Sequence, residues 1–435
     1  MNRLTEHLIV ISFDGLSTID FDAISKLPNF KSYIEGASYC KQVYSIYPTL
    51  TYPAHTTIVT GQYPKRHGII NNTLLQSGRE SPDWYWHQKY IKSKTLYDLA
   101  IKQGMTVAAL LWPVTAGAKI HYNMPEIFAN RPWQSQILVS LLNGSRYYQF
   151  VMNKRFGHLR KGIKQPNLDN FIHQALLDTL RNKKPGVTLV HFTDLDTMRH
   201  YNGFDSNEAK AALERHDARL GEIIAVLKES GIYENSTVIV LGDHSSLDED
   251  KIINLNVLLK EKGYIIADKK GKVSSYSAIC KNCDGSTYVY AKDKRDQKLK
   301  QELLLLINEF NHRNNCIETI YTGEQASELG ADPNCIFMLE AKKGYYFLDE
   351  MEGDLIRQIQ QGEAGKVPHV TINTHGYSPY KPDYTTVFLA SGKGIKKGVV
   401  IDKMNLIDEG PTMAGLLGLE LKEADGRVLY ELLDI

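Results

Sequence analysis

The chain has 435 residues, of which 43% are hydrophobic and 23% are charged, and its formal net charge at pH 7 is +1. This length accommodates one large domain with insertions, and the composition is that of a globular protein. A net charge so close to zero provides no long-range attraction to a nucleic-acid polymer or an anionic membrane. We therefore expect neither partner, and any phosphate binding should be confined to a local site.

The N-terminal residues and the cysteines suggest the compartment. The first apolar run, Leu8 to Phe13, is too short for a signal peptide and leads directly into Asp14 and Gly15. No run approaches the roughly 20 apolar residues of a membrane span. The cysteines are sparse and odd in number, and Cys280 and Cys283 have no second ligand pair nearby for a zinc knuckle. We expect a cytoplasmic protein with free thiols.

Short apolar runs alternate with amphipathic stretches over most of the chain. The predicted elements, in order, are a strand Leu8 to Phe13, a helix Asp20 to Glu35, a strand Tyr39 to Tyr44, a helix Thr95 to Gln103, a strand Val107 to Leu111, a helix Asn167 to Arg181, a strand Val187 to Phe192, a helix Ser206 to Ser230 and a strand Ser236 to Leu241. This alternation predicts an α/β fold with a largely parallel sheet and helices on both faces.

The stretch 255–367 is more polar than the rest. Its patterns predict a strand Ser286 to Ala291 and a helix Asp296 to Phe310, and core-like sequence then resumes with a strand Thr385 to Ala390 and a helix Leu406 to Leu417. We therefore predict a core made of residues 1–254 and 368–435, interrupted by a smaller inserted cap subdomain of residues 255–367.

Acidic and histidine residues fall where predicted strands end. Six are candidate metal ligands: Asp14, Asp196, His200, Asp243, His244 and His375. Parallel strands place their carboxyl ends at one edge of the sheet, so residues that follow them are expected to converge. Three carboxylates with three imidazoles suit two divalent ions, and mixed ligation favours zinc over magnesium or calcium. Each residue alone has an ordinary explanation, such as a turn cap, and only the combination favours metals.

A candidate nucleophile lies in the segment YPTLTYPAH. Pro53 suits the first turn of a helix, which places Thr51 at a helix N-terminus, where free N–H groups favour a phosphate. Thr49 or Thr51 would also serve as a simple helix cap, but a neighbouring metal pair favours Thr51 as a nucleophile. Asn72 could donate to a phosphoryl oxygen, and from the residues alone Asn71 fits equally well.

Four segments carry a resemblance to a known family. The segment TLTYPAHTTIVTGQYPKRHGIINN resembles the nucleophile region of the type I phosphodiesterase and nucleotide pyrophosphatase family, within the alkaline phosphatase superfamily. DLDTMRHYNG, GDHS and THGYSP resemble its metal-binding segments, with Arg199, Ser245 and Thr374 where the family has glycine, glycine and asparagine. These departures affect neighbours of the ligands. The resemblance extends over roughly Leu8 to Leu417.

The resemblance implies an alkaline-phosphatase-like core and assigns roles to particular residues. Thr51 would be the nucleophile and a metal ligand, and Asn72 would contact the phosphoryl oxygen. The implied ligands are Asp14, Asp243 and His244 for one zinc ion and Asp196, His200 and His375 for the other. The implied substrate-binding aromatics are Tyr52, Trp112 and Phe128, with Tyr52 stacking on a nucleobase.

The expected reaction is hydrolysis of a nucleotide phosphodiester or pyrophosphate bond through a phospho-threonine intermediate, releasing a nucleoside monophosphate. A diester is favoured because Asn72 and Leu50, rather than a fixed cation, flank the candidate nucleophile. Two alternatives stay open: a phosphonate or phospholipid-type diester hydrolase with the same two zinc ions, and a non-catalytic metal-binding recognition module. Other divalent transition metals are alternatives to zinc. The nucleophile segment lacks the cysteine that sulfatases convert, which disfavours that class.

Overall fold

The structure is a computed structural model that describes residues 2–79, 81–269 and 271–435. The strands are β1 (His7–Phe13), β2 (Ser38–Tyr44), β3 (Val107–Leu110), β4 (Tyr122–Met124), β5 (Val187–Phe192), β6 (Ser236–Leu241), β7 (Leu247–Ile253), β8 (Ile265–Ala267), β9 (Val273–Tyr276), β10 (Ala278–Cys283), β11 (Ser286–Ala291), β12 (Ile317–Thr322), β13 (Phe337–Ala341), β14 (Gly344–Phe347), β15 (Ile356–Gln358), β16 (Asn373–Thr374), β17 (Thr386–Gly392), β18 (Val400–Ile401) and β19 (Met404–Asn405). The α-helices are α1 (Phe21–Ile24), α2 (Pro28–Gly36), α3 (Thr51–Thr60), α4 (Pro64–His67), α5 (Leu96–Lys102), α6 (Gln136–Asn143), α7 (Arg146–Phe156), α8 (Asn167–Asn182), α9 (Asp194–Asn202), α10 (Asn207–Glu229), α11 (Leu255–Glu261), α12 (Gln297–Asn314), α13 (Gly323–Glu328) and α14 (Glu409–Leu416).

The main sheet contains nine strands in the order β18-β2-β17-β6-β1-β5-β3-β4, with β19 also paired to β2. The central strand β1 runs parallel to both of its neighbours, β5 and β6. The strand β17 runs antiparallel to β2 and to β6. The predicted α/β fold with a largely parallel sheet is therefore confirmed.

Helices cover both faces of this sheet because its central strands are apolar at almost every position. In β1, Ile9, Ile11 and Phe13 join a core that includes residues of α2, α8 and α10. The alternate residues, Leu8 and Val10, join a second core with residues of α3, α5 and α14. A continuous apolar run is what a parallel strand needs when both of its faces are buried.

Several element limits agree with the sequence prediction, and others differ for identifiable reasons. The strands β5, β6 and β11 have the predicted limits. The helix predicted from Asp20 to Glu35 is instead divided, because α1 ends at Ile24 and α2 begins at Pro28. Proline has no N–H to continue a helix and suits its first turn, so Pro28 begins a new one. The helices α6 and α7 have no counterpart among the predicted elements.

In the polar stretch β8 pairs antiparallel with β9, and the stretch also contributes to two larger sheets. One is four-stranded and antiparallel, in the order β10-β11-β13-β12. The other contains β14, β7 and β15, with β16 paired to β7. Because β7 begins at Leu247 and β16 ends at Thr374, this second sheet extends past both expected limits of the insertion, residues 255 and 367.

All five cysteines are buried and unpaired. Cys283, at the end of β10, lies with its Sγ atom 3.2 Å from the Asn71 side-chain nitrogen. Within the three described ranges, no helix is both long enough and apolar enough to cross a bilayer.

Candidate metal centre and nucleophile

The carboxyl ends of three neighbouring strands bring most of the candidate ligands to one edge of the main sheet. Asp14 directly follows β1, and Asp243 lies in the loop after β6. The helix α9 begins shortly after β5 and carries Asp196 and His200 one turn apart, with 3.0 Å between Oδ2 and Nε2. His375 follows β16, which is held against β7. The convergence expected of parallel strands is therefore present.

The six side chains form two groups, and the ligand atoms within each lie within 4.8 Å of one another. The groups are Asp14, Asp243 and His244, and Asp196, His200 and His375. The rings of His244 and His375 stack with their centroids 3.9 Å apart, so the two groups adjoin. Their membership is the same as that of the two ligand sets that the family resemblance implies.

The donor atoms of both groups fit divalent cations. Within the two ligand groups, three buried carboxylate oxygens have no hydrogen-bond partner: Asp14 Oδ1, Asp196 Oδ1 and Asp243 Oδ2. Buried polar atoms are nearly always paired, and a cation would supply the partner that these oxygens lack. Two of the imidazoles are held in position by the backbone, since Nδ1 of His200 donates to Asn373 O at 2.6 Å and Nδ1 of His375 donates to Thr49 O at 3.0 Å. Each Nε2 lone pair is then available to a metal.

The buried charges of the centre perturb one another strongly. Burial raises the pKa of Asp14, and the carboxylates of Asp243 and Asp196 raise it further. Burial also raises the pKa of Asp243 to about 6 and lowers the pKa of His244 to about 4. Although burial opposes the charge, the adjacent Asp196 carboxylate raises the pKa of His200 to about 9. Bound dications would favour the ionised carboxylates and the neutral imidazoles that act as ligands.

Thr51 is the first residue of α3 and contacts the first group. Its Oγ1 lies 3.1 Å from His244 Nε2. The N-cap residue of α3 is Leu50, which makes no side-chain capping bond. Thr49, the other cap candidate, instead donates its hydroxyl to Tyr377 O at 2.9 Å. Neither threonine caps the helix, and the hydroxyl of Thr51 faces the metal groups. The backbone N–H of Thr51 has no acceptor among the described residues, whereas the Tyr52 N–H donates to Asn72, Pro53 has no N–H and the Ala54 N–H donates to Leu50 O at 2.9 Å.

The structure distinguishes the two asparagines that the sequence leaves equivalent. The Oδ1 atom of Asn72 accepts a hydrogen bond of 2.9 Å from the backbone N–H of Tyr52, the residue after Thr51. Asn71 instead donates its side-chain amide to Asn282 O at 2.7 Å, toward β10. Asn72 is therefore the one held against the nucleophile segment, and its amide nitrogen is left as a donor.

Two of the three expected substrate-binding aromatics are placed differently from the expectation. Tyr52 is fully buried, with the Trp84 ring packed against it at a centroid distance of 5.2 Å. Trp112 is also fully buried, and its ring meets that of His55 edge-on at 4.8 Å. Neither presents a free face to a base, because residues distant in sequence cover both. Phe128 is half-buried and contacts Trp84 at 5.5 Å, so this pair forms the accessible aromatic surface.

Two histidines behind the first group are not among the predicted site residues. His55 donates through Nδ1 to Thr51 O at 2.8 Å. His191 Nε2 lies 3.3 Å from Asp14 Oδ2, and its ring packs against that of His55 at 4.2 Å. Burial holds the pKa of both histidines below the ordinary value, so both are neutral. The available sequence signal for His191 is a histidine within the otherwise apolar run of β5.

Arg199, at a position where the family resemblance predicts glycine, connects the turn that follows Asp14 with the side chain of Asp20. Its guanidinium donates to Gly15 O at 2.6 Å and to Asp20 Oδ1 at 2.5 Å. Ser245, the second departure, donates to Ser17 Oγ at 2.9 Å. Both substituted side chains are buried and hydrogen-bonded to the turn that follows Asp14, so they support the ligands.

Comparison with known proteins agrees with this geometry. The sequence profile of the family described as type I phosphodiesterase / nucleotide pyrophosphatase matches residues 8–378. The bis(5'-adenosyl)-triphosphatase ENPP4 of Pongo abelii is 23% identical over 440 residues, which cover 96% of this chain and 79% of that protein. The human ectonucleotide pyrophosphatase/phosphodiesterase family member 5 is 22% identical over 441 residues, covering 97% of this chain and 76% of that protein.

Solved structures show the same fold. Murine ectonucleotide pyrophosphatase / phosphodiesterase 5, an inactive threonine-to-alanine variant in complex with AMP, superposes with a TM-score of 0.67 at 19% identity, covering 99% of this chain and 100% of that chain. The human counterpart gives a TM-score of 0.68 at 20% identity, with the same coverage. The predicted resemblance and the predicted class of hydrolase are confirmed. The chain therefore belongs to the type I phosphodiesterase / nucleotide pyrophosphatase family.

Proposed function

We propose that this protein hydrolyses phosphodiester or pyrophosphate bonds of nucleotides, with Thr51 as the nucleophile at a two-zinc site. The observation that carries the proposal is the 3.1 Å approach of Thr51 Oγ1 to His244 Nε2, at a helix N-terminus that faces two adjoining ligand groups. Relatives named for nucleotide hydrolysis, and the AMP complex of the murine relative, support a nucleotide substrate.

The residues that would hold the two ions are those of the two groups, with Thr51 added to the first. Zinc ions bound there would act as Lewis acids on the phosphoryl oxygens and lower the pKa of a coordinated hydroxyl. The mixture of imidazole and carboxylate donors favours zinc, and other divalent transition metals are alternatives.

The protein's own groups account for the bond changes in the proposed reaction. Thr51 Oγ loses its proton and forms a bond to phosphorus while the bond to the leaving oxygen breaks, and the leaving group departs with its electron pair and takes up a proton in exchange. Water then attacks the phospho-threonine, which releases a nucleoside monophosphate and restores the Thr51 hydroxyl. The backbone N–H of Thr51 at the start of α3 and the amide of Asn72 stabilise the negative charge that develops on the phosphoryl oxygens. These donors are neutral, which suits a monoanionic diester better than a dianionic monoester.

We further propose that the base stacks on Trp84 and Phe128 rather than on Tyr52. Trp84 is only partly buried and forms a β-bridge with Thr73, the residue after Asn72. This brings an aromatic surface close to the proposed phosphate contact. Stacking of a base on an aromatic side chain contributes about 1–3 kcal/mol to the binding free energy, whichever base is bound.

Substitution of the nucleophile tests the reaction. With the p-nitrophenyl ester of thymidine monophosphate, Thr51→Ala should abolish turnover while Thr51→Ser retains measurable activity, because serine keeps the hydroxyl. Zinc content, measured on the same samples, should stay at about two ions per chain, as the two-metal mechanism requires. Loss of zinc from Thr51→Ala would mean that the threonine is structural. A wild-type protein without zinc-dependent turnover would remove the enzymatic proposal altogether.

The stacking surface is tested by comparing two substrates. Trp84→Ala should raise KM for the nucleotide ester by roughly 5- to 150-fold, the equivalent of the stacking energy, and should change KM for bis-p-nitrophenyl phosphate little. Trp133→Ala, at an exposed tryptophan elsewhere, is the matched control. Equal effects of Trp84→Ala on both substrates would show that Trp84 only packs against Tyr52.

A further inference from the structure

One stretch of the chain departs sharply from the overall charge balance. The protein has 51 basic and 50 acidic residues in total, yet residues 127–168 contain seven lysines and arginines and no aspartate or glutamate. Arg131 and Arg155 are neutralised by ion pairs with Asp83 and Asp178. The other five have no carboxylate within ion-pair distance in the described part of the chain: Arg146, Lys154, Arg160, Lys161 and Lys164. The stretch therefore carries a local positive field that the net charge conceals.

The same stretch exposes an unusual number of large apolar side chains. Seven of the 18 exposed large hydrophobic residues of the described chain lie between residues 133 and 163, and each is more than half exposed. Six of them lie on or beside α6 and α7: Trp133, Ile137, Leu138, Leu142, Tyr147 and Phe150. We call this combination of exposed apolar and unpaired basic residues, from 133 to 164, the basic apolar surface.

The two helices hold these side chains outward. In α7, Tyr147, Phe150 and Lys154 follow one another at helical spacing along the exposed side, while Tyr148 and Met152 point into the core. The helix α6 contains no buried residue and is anchored by Val139, which packs on the aromatic cluster around Tyr52. The exposed apolar faces are therefore built on packed helices, close to the segment that carries the nucleophile.

We propose that the basic apolar surface docks the protein onto an anionic lipid bilayer. Contiguous exposed apolar patches are rare on monomeric soluble proteins unless they bind something. Helices that combine tryptophan, phenylalanine and leucine with lysine and arginine are typical of the membrane interface, where the apolar groups enter the headgroup region and the basic groups meet anionic lipids.

The positive charge of the basic apolar surface argues against a second copy of the chain, and its exposed aliphatic side chains argue against a nucleic acid. A second copy of the chain seated on this surface would bring two sets of unpaired positive charges together, which is repulsive. A nucleic acid would satisfy the basic residues, but it would leave aliphatic side chains such as Ile137 and Leu142 in water. The docking proposal goes beyond the proposed hydrolysis and does not depend on it.

Vesicle co-sedimentation of the full chain tests the proposal. We expect binding to vesicles of phosphatidylcholine with about one third phosphatidylserine, little binding to phosphatidylcholine alone, and weakening by salt. Each basic residue near an anionic bilayer increases the partition coefficient of a protein between water and the bilayer roughly fivefold. The double variant Lys161→Ala with Lys164→Ala should therefore bind the vesicles about 25-fold more weakly. Tyr147→Ser with Phe150→Ser should also weaken it, by removing the apolar anchor.

Matched controls lie in and near α12. Lys294→Ala with Lys298→Ala removes two exposed lysines, one shortly before α12 and one within it, and Leu305→Ser removes an exposed apolar side chain from that helix. Both should leave vesicle binding unchanged, and all variants should keep the wild-type nucleotide turnover and melting temperature. The Lys161 and Lys164 pair is exposed, so the test stands even if the apolar double variant fails to fold.

Three results would overturn the proposal. One is the absence of wild-type binding to anionic vesicles, and another is equal binding to neutral ones. The third is equal weakening by the control variants. A light-scattering mass of two chains that falls to one chain in Tyr147→Ser with Phe150→Ser, without vesicle binding, would instead assign the surface to self-association.

Discussion

Replacing Arg199 tests whether its buried ion pair with Asp20 stabilises the protein and positions the turn that follows Asp14. Its guanidinium donates to Gly15 O and Asp20 Oδ1 and stacks on Phe204, with 3.7 Å between its central carbon and the ring centroid. Arg199→Met keeps most of the volume but leaves the Asp20 carboxylate, which is only 5% exposed, without its cation. Removing one partner of a buried ion pair costs about 3–5 kcal/mol. Asp20 keeps one hydrogen bond, from Ser17 N–H at 2.8 Å, so we expect the lower end of that range, about 3 kcal/mol.

The assay is urea unfolding of a double-mutant cycle, with turnover measured on the same samples. Asp20→Asn keeps the shape and the capping bond while removing the charge. The double variant should lose less stability than the sum of the single variants by at least about 1 kcal/mol, because it no longer contains a buried unpaired charge. Turnover should fall in Arg199→Met, since the freed Gly15 carbonyl directly follows Asp14 and its movement would rotate that ligand.

Arg181→Met provides the matched control. Arg181 also pairs with a carboxylate, that of Glu229, but the two side chains are 50% and 62% exposed. Exposed pairs contribute roughly 0–1 kcal/mol, so this variant should be nearly neutral. The reasoning would be refuted if Arg199→Met were as mild as Arg181→Met, or if the effects of Arg199→Met and Asp20→Asn were additive.

Three further predictions concern pH, metals and a helix cap. Burial raises the pKa of Glu249, which accepts a hydrogen bond from the Tyr377 hydroxyl, to about 9. Between about pH 4.3 and about pH 9, the Glu249 carboxyl therefore keeps its proton in the folded protein, whereas in the unfolded chain, where its pKa is about 4.3, it loses the proton. The free energy of unfolding consequently falls by up to about 1.4 kcal/mol for each pH unit in this interval. Glu249→Gln has no carboxyl group to titrate at this position, so the difference in urea midpoint between this variant and the wild-type protein should grow as the pH rises to about 9. A difference that stays constant across pH would contradict the raised pKa of Glu249. Removal of metal by a chelator should lower the melting temperature and zinc should restore it, since free zinc at 100 times Kd stabilises the native state by about 2.7 kcal/mol; an unchanged melting temperature would argue against a metal centre. Ser206→Ala should cost about 1 kcal/mol, because the Ser206 hydroxyl caps α10 by accepting from Ala209 N–H at 3.2 Å, and Ser206→Thr, which keeps the hydroxyl, should recover most of it.

The sequence predicts the core elements well where the relevant forces are local. The limits of β5 and β6 follow from apolar runs bounded by turn residues, and the ligands after them follow from the geometry of parallel strands. The prediction fails where a single residue overrides a pattern, as at Pro28, which divides the first predicted helix. It also misses α6, a short apolar helix that contains no buried residue and therefore is not part of the core.

Side-chain roles were harder to predict than backbone elements. The family resemblance implies substrate contact for Tyr52 and Trp112, but both are covered by other parts of the chain. Trp84 and His191 are not among the predicted site residues, yet Trp84 packs against Tyr52 and His191 lies beside Asp14. The near-zero net charge of the whole chain does not reveal that residues 127–168 contain seven basic residues and no acidic one, because a sum over the chain does not show how charges are distributed.

The sequence by itself determined the α/β order of elements, the six candidate ligands and the position of Thr51, because strand patterning and residue type are properties of short segments. Only the tertiary structure decided that the two ligand groups adjoin through the stacked rings of His244 and His375, that Asn72 accepts from the backbone of the nucleophile segment, and that Tyr52 is buried. The physical reason is that each of these facts depends on packing between segments far apart in the chain. Such contacts are set by the whole fold, and no local pattern records them.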